Sequence, residues 1–164
     1  MKDDLKRQLD DCYDELNDIK LKMEKIPVLD KTRMYLTQYA LIRSCGTVEY
    51  VYRAIIADFF EEKSPIQIHN YLDKTIRNGS MSAKYSNMLS LLGKFDKDWK
   101  NDFAAKVRSL DNFQRLIDSS NSLVTDRHAF AHGKSTSISL SDIYQYYDDV
   151  VKLIDVVNEI INNN

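Results

Sequence analysis

The chain has 164 residues and a mass of 19.1 kDa, the size of one ordinary domain, so we expect residues 1–164 to form a single domain. Hydrophobic residues make up 43% and charged residues 29%, which excludes a disordered or membrane-spanning chain, and 4 Gly and 2 Pro are too few for a turn-rich β-sandwich or a Gly-rich phosphate loop. The formal charge of −2 argues against tight, sequence-independent coating of nucleic acid.

The first segment of the chain has a strong helical period. Its apolar residues are spaced alternately by four and three, which places them on one stripe of a helix: Leu5, Leu9, Cys12, Leu16, Ile19, Met23 and Ile26. A helix over about residues 3–26 is predicted, ending near Lys25 because the residue before Pro27 is disfavoured in the α region. This helix either packs on the rest of the molecule or extends from it.

A second segment, residues 31–62, keeps the same rhythm through Leu41, Cys45, Val48, Tyr52, Ile55 and Phe59. A helix of that length would be about 45 Å long at roughly 1.5 Å per residue, long enough to form the spine of a bundle. Gly46 lies inside the segment and is expected to mark a close helix crossing.

Shorter helices are predicted in the middle of the chain. Pro65 is expected at the first helical position, followed by the stripe Ile68, Leu72 and Ile76. After a turn at residues 78–80, further helices are expected over residues 85–92, stopped at Gly93, over 96–107, and over 113–132, closed by Gly133.

The last long run again has helical spacing: Leu140, Ile143, Tyr147, Val150, Ile154, Val157 and Ile161. Ser139 or Ser141, followed by Asp142, provides a capped start. No segment alternates as a β-strand does. The prediction is therefore an all-α, up-and-down helical bundle with long second and C-terminal helices and shorter helices between them.

Charge and cysteine placement bear on partners and compartment. Residues 1–30 carry a net charge of −3, residues 31–134 a net of +5, and residues 135–164 a net of −4, so the central helices fit an anionic partner. Solvated helix faces would also explain this distribution. The two cysteines occupy stripe positions and no signal-peptide pattern is present, which predicts a cytoplasmic protein without disulfides and with no membrane association.

One segment carries residues with chemical potential, residues 126–133. Arg127 and His132 are separated by about 140° around a regular helix, so they can converge only at a helix end or across a contact with a second copy. Arginine matches phosphate oxygens in pairs, and histidine can accept and donate a proton near neutral pH. Together they suffice for RNA cleavage in which the ribose 2′-hydroxyl attacks the adjacent phosphate, and that reaction needs no protein nucleophile.

Other interpretations of the same residues are structural or metal-based. Arg127 could form a surface ion pair while His132 caps a helix C-terminus, where a partial positive charge is favourable. His128 and His132 share a helix face and could bind zinc, but a zinc site needs a third protein ligand, and the metalloprotease pattern needs Glu where Ala129 stands. We therefore expect no metal and no cofactor.

The segment closes a helix and is followed by a Ser/Thr-rich loop and a long amphipathic helix. In this it resembles the HEPN superfamily, whose signature is Arg, a polar residue, a short spacer and His. More narrowly, the chain is similar to the RiboL-PSP-associated HEPN domains, on residues 41–50 (LIRSCGTVEY) and 123–133 (LVTDRHAFAHG). The likeness covers residues 35 to 161, and the second of these motifs is the more specific.

The resemblance implies a bundle that dimerises so that two Arg/His sets share one cleft. It also implies a metal-independent endoribonuclease, often a toxin or an anti-phage effector, with Arg127 and His132 as its catalytic residues. His128 stands where Asn or Asp is usual, and three roles are open to it: assisting proton transfer, orienting Arg127 or capping the helix.

Four further residues are candidates for RNA binding or for support of the catalytic groups: Asp126, Lys134, Glu49 and Arg43. In some HEPN toxins a Tyr two residues after the His allows control by a partner nucleotidyltransferase. Lys134 occupies that position in this chain, so we do not expect that control.

Two functions follow from these patterns. The first is a homodimeric ribonuclease that acts on RNA as a toxin or phage-defence effector. The second is a non-catalytic HEPN module that binds a nucleotide or a partner protein, such as an antitoxin or another defence component. The near-neutral total charge and the N-terminal stripe, which could dock a partner helix, favour the second.

Overall fold

The computed structural model describes residues 1–61 and 64–162, and every regular element within them is a helix. In chain order these are α1 (Asp3–Glu24), α2 (Lys31–Glu61), α3 (Ile66–Leu72), which continues as a π-helical turn (Asp73–Arg77), α4 (Tyr85–Phe95), α5 (Lys97–Arg108), α6 (Phe113–Ala131) and α7 (Leu140–Asn162). The all-α prediction, with long second and C-terminal helices, is confirmed. Over the same residues, no helix combines the length and apolarity needed to cross a membrane.

The centre of the bundle is α2, which packs against α1, α6 and α7. It buries Leu41, Val48 and Ile55, three residues of the predicted stripe. The stripe of α1 is buried from Leu5 through Met23, so α1 packs on the bundle rather than extending from it. Removal of these apolar faces from water is the main force that holds the helices together.

The closing helix α7 is fixed at its start and along its buried face. At its N-terminus the Ser139 hydroxyl accepts a hydrogen bond from the Asp142 amide at 3.1 Å, while the Asp142 carboxylate accepts from the Ser139 amide at 2.9 Å. This reciprocal pair is a capping box, and it identifies Ser139 rather than Ser141 as the cap. Further along, the buried Tyr147 hydroxyl donates to the Leu9 carbonyl at 2.8 Å and so ties α7 to α1.

A buried carboxylate joins α6 to α7. Asp149 is 0% exposed and accepts hydrogen bonds from the Arg115 guanidinium at 3.0 and 3.1 Å, the Ser119 hydroxyl at 2.7 Å and the Gln145 amide at 3.0 Å. Donors from both helices therefore compensate the cost of burying the charge. The sequence patterns did not predict this cluster.

Several predicted helix boundaries and glycine roles are wrong. Helix α4 continues through Gly93 to Phe95 because Asp96, in extended conformation, ends it and caps α5. Gly93 instead allows close approach of α5, since a Cβ there would lie 2.8 Å from Lys100 Cδ. Gly46 marks no close crossing in the described part of the chain, because nothing there lies within 4 Å of a Cβ built on it.

Smaller differences occur around α3. Pro65 precedes the first helical residue instead of occupying that position, and Ile68 is exposed although the predicted stripe includes it. Glu62, the expected last residue of the second helix, lies outside the described residues, as do residues 163 and 164.

Candidate active site

The C-terminus of α6 ends in a motif that sets the direction of His132. Gly133 has a φ of +73°, and the Gly133 amide donates to the Phe130 carbonyl at 2.9 Å while the Lys134 amide donates to the Ala129 carbonyl at 2.9 Å. These two bonds form a Schellman motif, which needs a left-handed residue that glycine adopts without strain. His132 is the last residue before it, with φ −94° and ψ 19°, and has therefore left the regular helix.

The two histidines of the segment contact each other. Nε2 of His132 lies 3.2 Å from Nε2 of His128, and the ring centroids are 4.6 Å apart. A hydrogen bond between two ring nitrogens requires a proton on one and a lone pair on the other. Both side chains are exposed, so solvent reaches this pair.

Arg127 points toward α2. Its guanidinium forms an ion pair with the Glu49 carboxylate at 2.6 Å, and the two side chains are 26% and 12% exposed. Burial alone would lower the pKa of Arg127, but the neighbouring Cys45 thiol and Glu49 carboxylate raise it above its ordinary value. Burial, reinforced by the charge of Glu49, raises the pKa of Cys45 to about 12, so this thiol is neutral. The guanidinium therefore stays charged and is held in one direction.

Arg127, His128 and His132 line one cavity of about 680 Å³. Lys134 lies at the same cavity, beyond the end of α6. The opposite wall comes from the segment between α3 and α4 and from the start of α4, and it includes Ser80, Met81, Ser82, Lys84 and Asn87. Within the described part of the chain no carboxylate lines this cavity, so its lining is cationic and polar over an apolar floor.

The opposite wall is fixed by side chains of α2 and α6. Arg53 of α2 donates to the Gly79 carbonyl and to the Met81 carbonyl, the latter at 3.2 Å. From α6, the buried Ser120 hydroxyl donates to the Ala83 carbonyl at 2.7 Å. Gly79 is required at this turn, because a Cβ there would lie 2.4 Å from the Thr75 carbonyl oxygen. The wall is thus preorganised.

Sequence reasoning missed this wall. The residues at 80–84 form no periodic pattern, and the bonds that hold them to α2 and α6 join positions more than 20 apart in the chain. The only local signal was the turn predicted at residues 78–80, which marks a change of chain direction but says nothing about what the chain then faces.

The structure brings some of the candidate residues together and leaves others apart. Glu49 contacts Arg127, and Lys134 lines the cavity. Arg43 lies elsewhere, because its guanidinium is engaged by Glu15 of α1 at 2.9 to 3.1 Å.

Asp126 is also away from the cavity lining. Burial raises the pKa of its carboxyl, and the nearby charge of Asp142 adds to that rise, which places Asp126 toward the start of α7. Neither Arg43 nor Asp126 lines the cavity, and Arg43 instead joins α2 to α1 through Glu15.

The interpretation of the two buried cysteines as core residues is confirmed. Among the described residues, no three His, Cys, Asp or Glu side chains are grouped closely enough to hold one metal ion. The cavity therefore offers a permanent cation, a histidine pair and a lysine, which are groups that can bind a phosphodiester and move protons.

A family model described as RiboL-PSP-HEPN matches residues 7–163, nearly the whole chain. No curated protein and no solved structure matches significantly.

Proposed function

The chain belongs to the RiboL-PSP-HEPN family, and from that premise we propose that it is a metal-independent endoribonuclease. The observation that carries the proposal is the convergence of Arg127, His128 and His132 on one exposed cavity that no described carboxylate lines. A phosphodiester entering this cavity meets positive charge and proton-transfer groups together.

The proposed reaction divides the work between the two histidines. Entry of the RNA breaks the hydrogen bond between the two Nε2 atoms. The imidazole whose Nε2 is unprotonated then takes the proton of the ribose 2′-hydroxyl, and the 2′-oxygen attacks the adjacent phosphorus. The bond from phosphorus to the 5′-oxygen breaks, and the other imidazole gives its proton to that oxygen. Arg127 stabilises the charge on the phosphoryl oxygens. The products are a 2′,3′-cyclic phosphate and a 5′-hydroxyl. One imidazole gains a proton and the other loses one, so the protons balance.

A second copy of the chain is part of the proposal. In a single chain Arg127 is held by Glu49, and among the described contacts it makes no hydrogen bond to either imidazole. A homodimer that joins two of these cavities would supply the guanidinium of one copy beside the histidines of the other. We also expect a partner protein, an antitoxin or another defence component, to bind over this cleft and inhibit cleavage.

The test is RNA cleavage in EDTA by purified variants. His132→Ala and Arg127→Ala should each lower the cleavage rate at least about 100-fold, because each removes a group that acts in the transition state. The same measurement on His128→Ala and His128→Asn distinguishes two roles of His128. If His128 transfers a proton, both variants lose cleavage, whereas if it only orients its neighbours through a polar contact, His128→Asn retains cleavage.

Matched controls exist in the chain. His69→Ala removes the histidine that lies outside the cavity, near Glu61, and Arg7→Ala removes an exposed arginine of α1. Both should cleave as the wild type does. Cleavage that survives both His132→Ala and Arg127→Ala would reject the ribonuclease proposal.

The proposed cellular role is that of a toxin or anti-phage effector. Expression of the wild type in a bacterial host should arrest growth, while His132→Ala should not. The alternative is a non-catalytic module, which the neutralising Arg127–Glu49 pair favours. A folded wild type that leaves every RNA intact yet binds a nucleotide or a partner chain would support that alternative.

A further inference from the structure

One face of α4 connects the candidate active site with a second cationic groove. Asn87, Ser90 and Lys94 are spaced by three and four residues, so they lie on one side of the helix, and Lys84 stands immediately before its first residue. From Lys84 to Lys94 this face extends about 15 Å along the helix axis, at roughly 1.5 Å per residue. It starts at the cavity, which Lys84 and Asn87 both line.

The far end of that face opens into a groove of about 570 Å³ between α4 and α5. Lys94, Lys97 and Lys100 line it, together with Ser86 and Ser90. The absence of a side chain at Gly93 lets the Lys100 chain lie across α4. Three lysine side chains therefore line one groove beside the face of α4 that carries Asn87 and Lys94.

Across residues 1–61 and 64–162, neither Lys84 nor the three groove lysines has a carboxylate partner. Asp96 and Asp98 both adjoin Lys97 in sequence, and neither forms an ion pair with a lysine among the described residues. Asp96 accepts bonds from the Asp98 and Trp99 amides and caps α5. Unpaired like charges so close together repel each other, and an anion that bridges them would relieve that repulsion.

We propose that single-stranded RNA lies along α4, with its phosphates bound by Lys84 at the cavity and by Lys94, Lys97 and Lys100 in the groove. The inference rests on the proposed ribonuclease function, for which it supplies the path of the substrate on one side of the scissile bond. Asn87, whose amide is held by the Ser82 hydroxyl at 2.8 Å, faces the nucleotide next to that bond.

A single strand fits this surface better than a duplex. The 2′-oxygen must align with the bond that breaks, and a nucleotide free of base pairing can rotate into that alignment, whereas an A-form helix holds every ribose in one conformation. The lysines act as point charges on phosphate and read no base, so the groove adds affinity without sequence preference.

The experiment measures binding of a fluorescein-labelled single-stranded RNA of 12 nucleotides whose riboses are all 2′-O-methylated, so that it cannot be cleaved. Its readout is fluorescence anisotropy at several salt concentrations. The triple variant K94Q/K97Q/K100Q should bind about tenfold or more weakly, and the slope of log affinity against log salt should fall by about 2, since each lost phosphate contact removes about 0.7.

The matched control is K20Q/K22Q/K25Q, which makes the same change in net charge at the end of α1. It should retain wild-type binding and most of the wild-type salt slope. Equal weakening by the two triple variants would mean that net charge alone attracts RNA, and it would overturn the proposed path, as would a wild type that does not bind the strand. Circular dichroism of each variant confirms that it is folded.

The binding measurement and the cleavage assay test the two proposals independently. If the wild type cleaves RNA and the groove variant both cleaves and binds as the wild type does, the path along α4 is rejected while the ribonuclease stands. If the wild type never cleaves but binding depends on the three groove lysines, the path stands and the ribonuclease proposal fails.

Discussion

Helix α6 carries two polar clusters, and they differ in how their charges are used. Near its N-terminus, Arg115 and Ser119 direct their donors to the buried Asp149 of α7, so every charge is matched inside the protein. At its C-terminus, His128 and His132 face an exposed cavity that also holds Lys134 and no described carboxylate. The first cluster joins helices, and the second is available to a ligand.

Residue type alone does not separate a structural cluster from a site. Both clusters contain an arginine with a carboxylate partner. The clusters differ in whether every donor has an acceptor within the protein, and in whether solvent reaches the polar groups that have none. Substitutions in the two clusters should therefore affect different quantities, stability in one and RNA cleavage in the other.

The largest expected effect on stability is at the structural cluster. Asp149→Asn removes the charge but keeps the shape, and leaves Arg115 and Ser119 without their anion, which should lower the free energy of unfolding by roughly 2–3 kcal/mol. Urea denaturation measures this. Asp148→Asn, an exposed carboxylate paired with Lys152 at 2.5 Å, is the control and should cost less than about 0.5 kcal/mol. Equal costs at the two positions would contradict the structural assignment.

A smaller effect is expected where α6 ends. Gly133→Ala places a Cβ on a residue with a φ of +73°, which costs about 1–2 kcal/mol or forces the turn to change. Because the turn sets the direction of His132, the cleavage rate should fall by more than the loss of folded protein alone would explain. Gly46→Ala is the control, since its Cβ would meet nothing within 4 Å. A Gly133→Ala variant that cleaves RNA at the wild-type rate would show that catalysis does not depend on the Schellman motif.

The smallest effect concerns the cap of α7. Hydrogen bonds from Ser139 lower the pKa of the Asp142 carboxyl below its usual range. The carboxylate therefore adds stability above the unfolded pKa of about 3.9, and this contribution is lost as the pH falls through the lower folded value. Ser139→Ala should cost about 1 kcal/mol at neutral pH, and its difference from the wild type should shrink below about pH 4. A difference that is constant with pH would contradict the capping box.

Most of the fold was predictable because the helices carry their own signals. Apolar spacing located α1, α2 and α7, and Pro27 and Gly133 marked two helix ends. Gly93 was misread because a glycine can end a helix or allow a close contact, and only the position of Lys100 decides between them.

The site was predictable only in part. Arg127 and His132 are close in sequence, but the second wall of the cavity depends on Arg53 and Ser120, which bond to a distant segment. Asp149 likewise looks like one more surface acid, because its donors on α6 come from more than 20 residues away. Long-range hydrogen bonds, unlike helical periodicity, leave no local pattern.

The most direct test of the central claim is the chemistry of the RNA ends that the protein produces in EDTA. We expect wild-type protein to leave 2′,3′-cyclic phosphates and 5′-hydroxyls, and His132→Ala, folded to the same extent, to leave neither. Ends of another chemistry, or the same ends from the His132→Ala protein, would contradict the assignment of this cavity as the catalytic site.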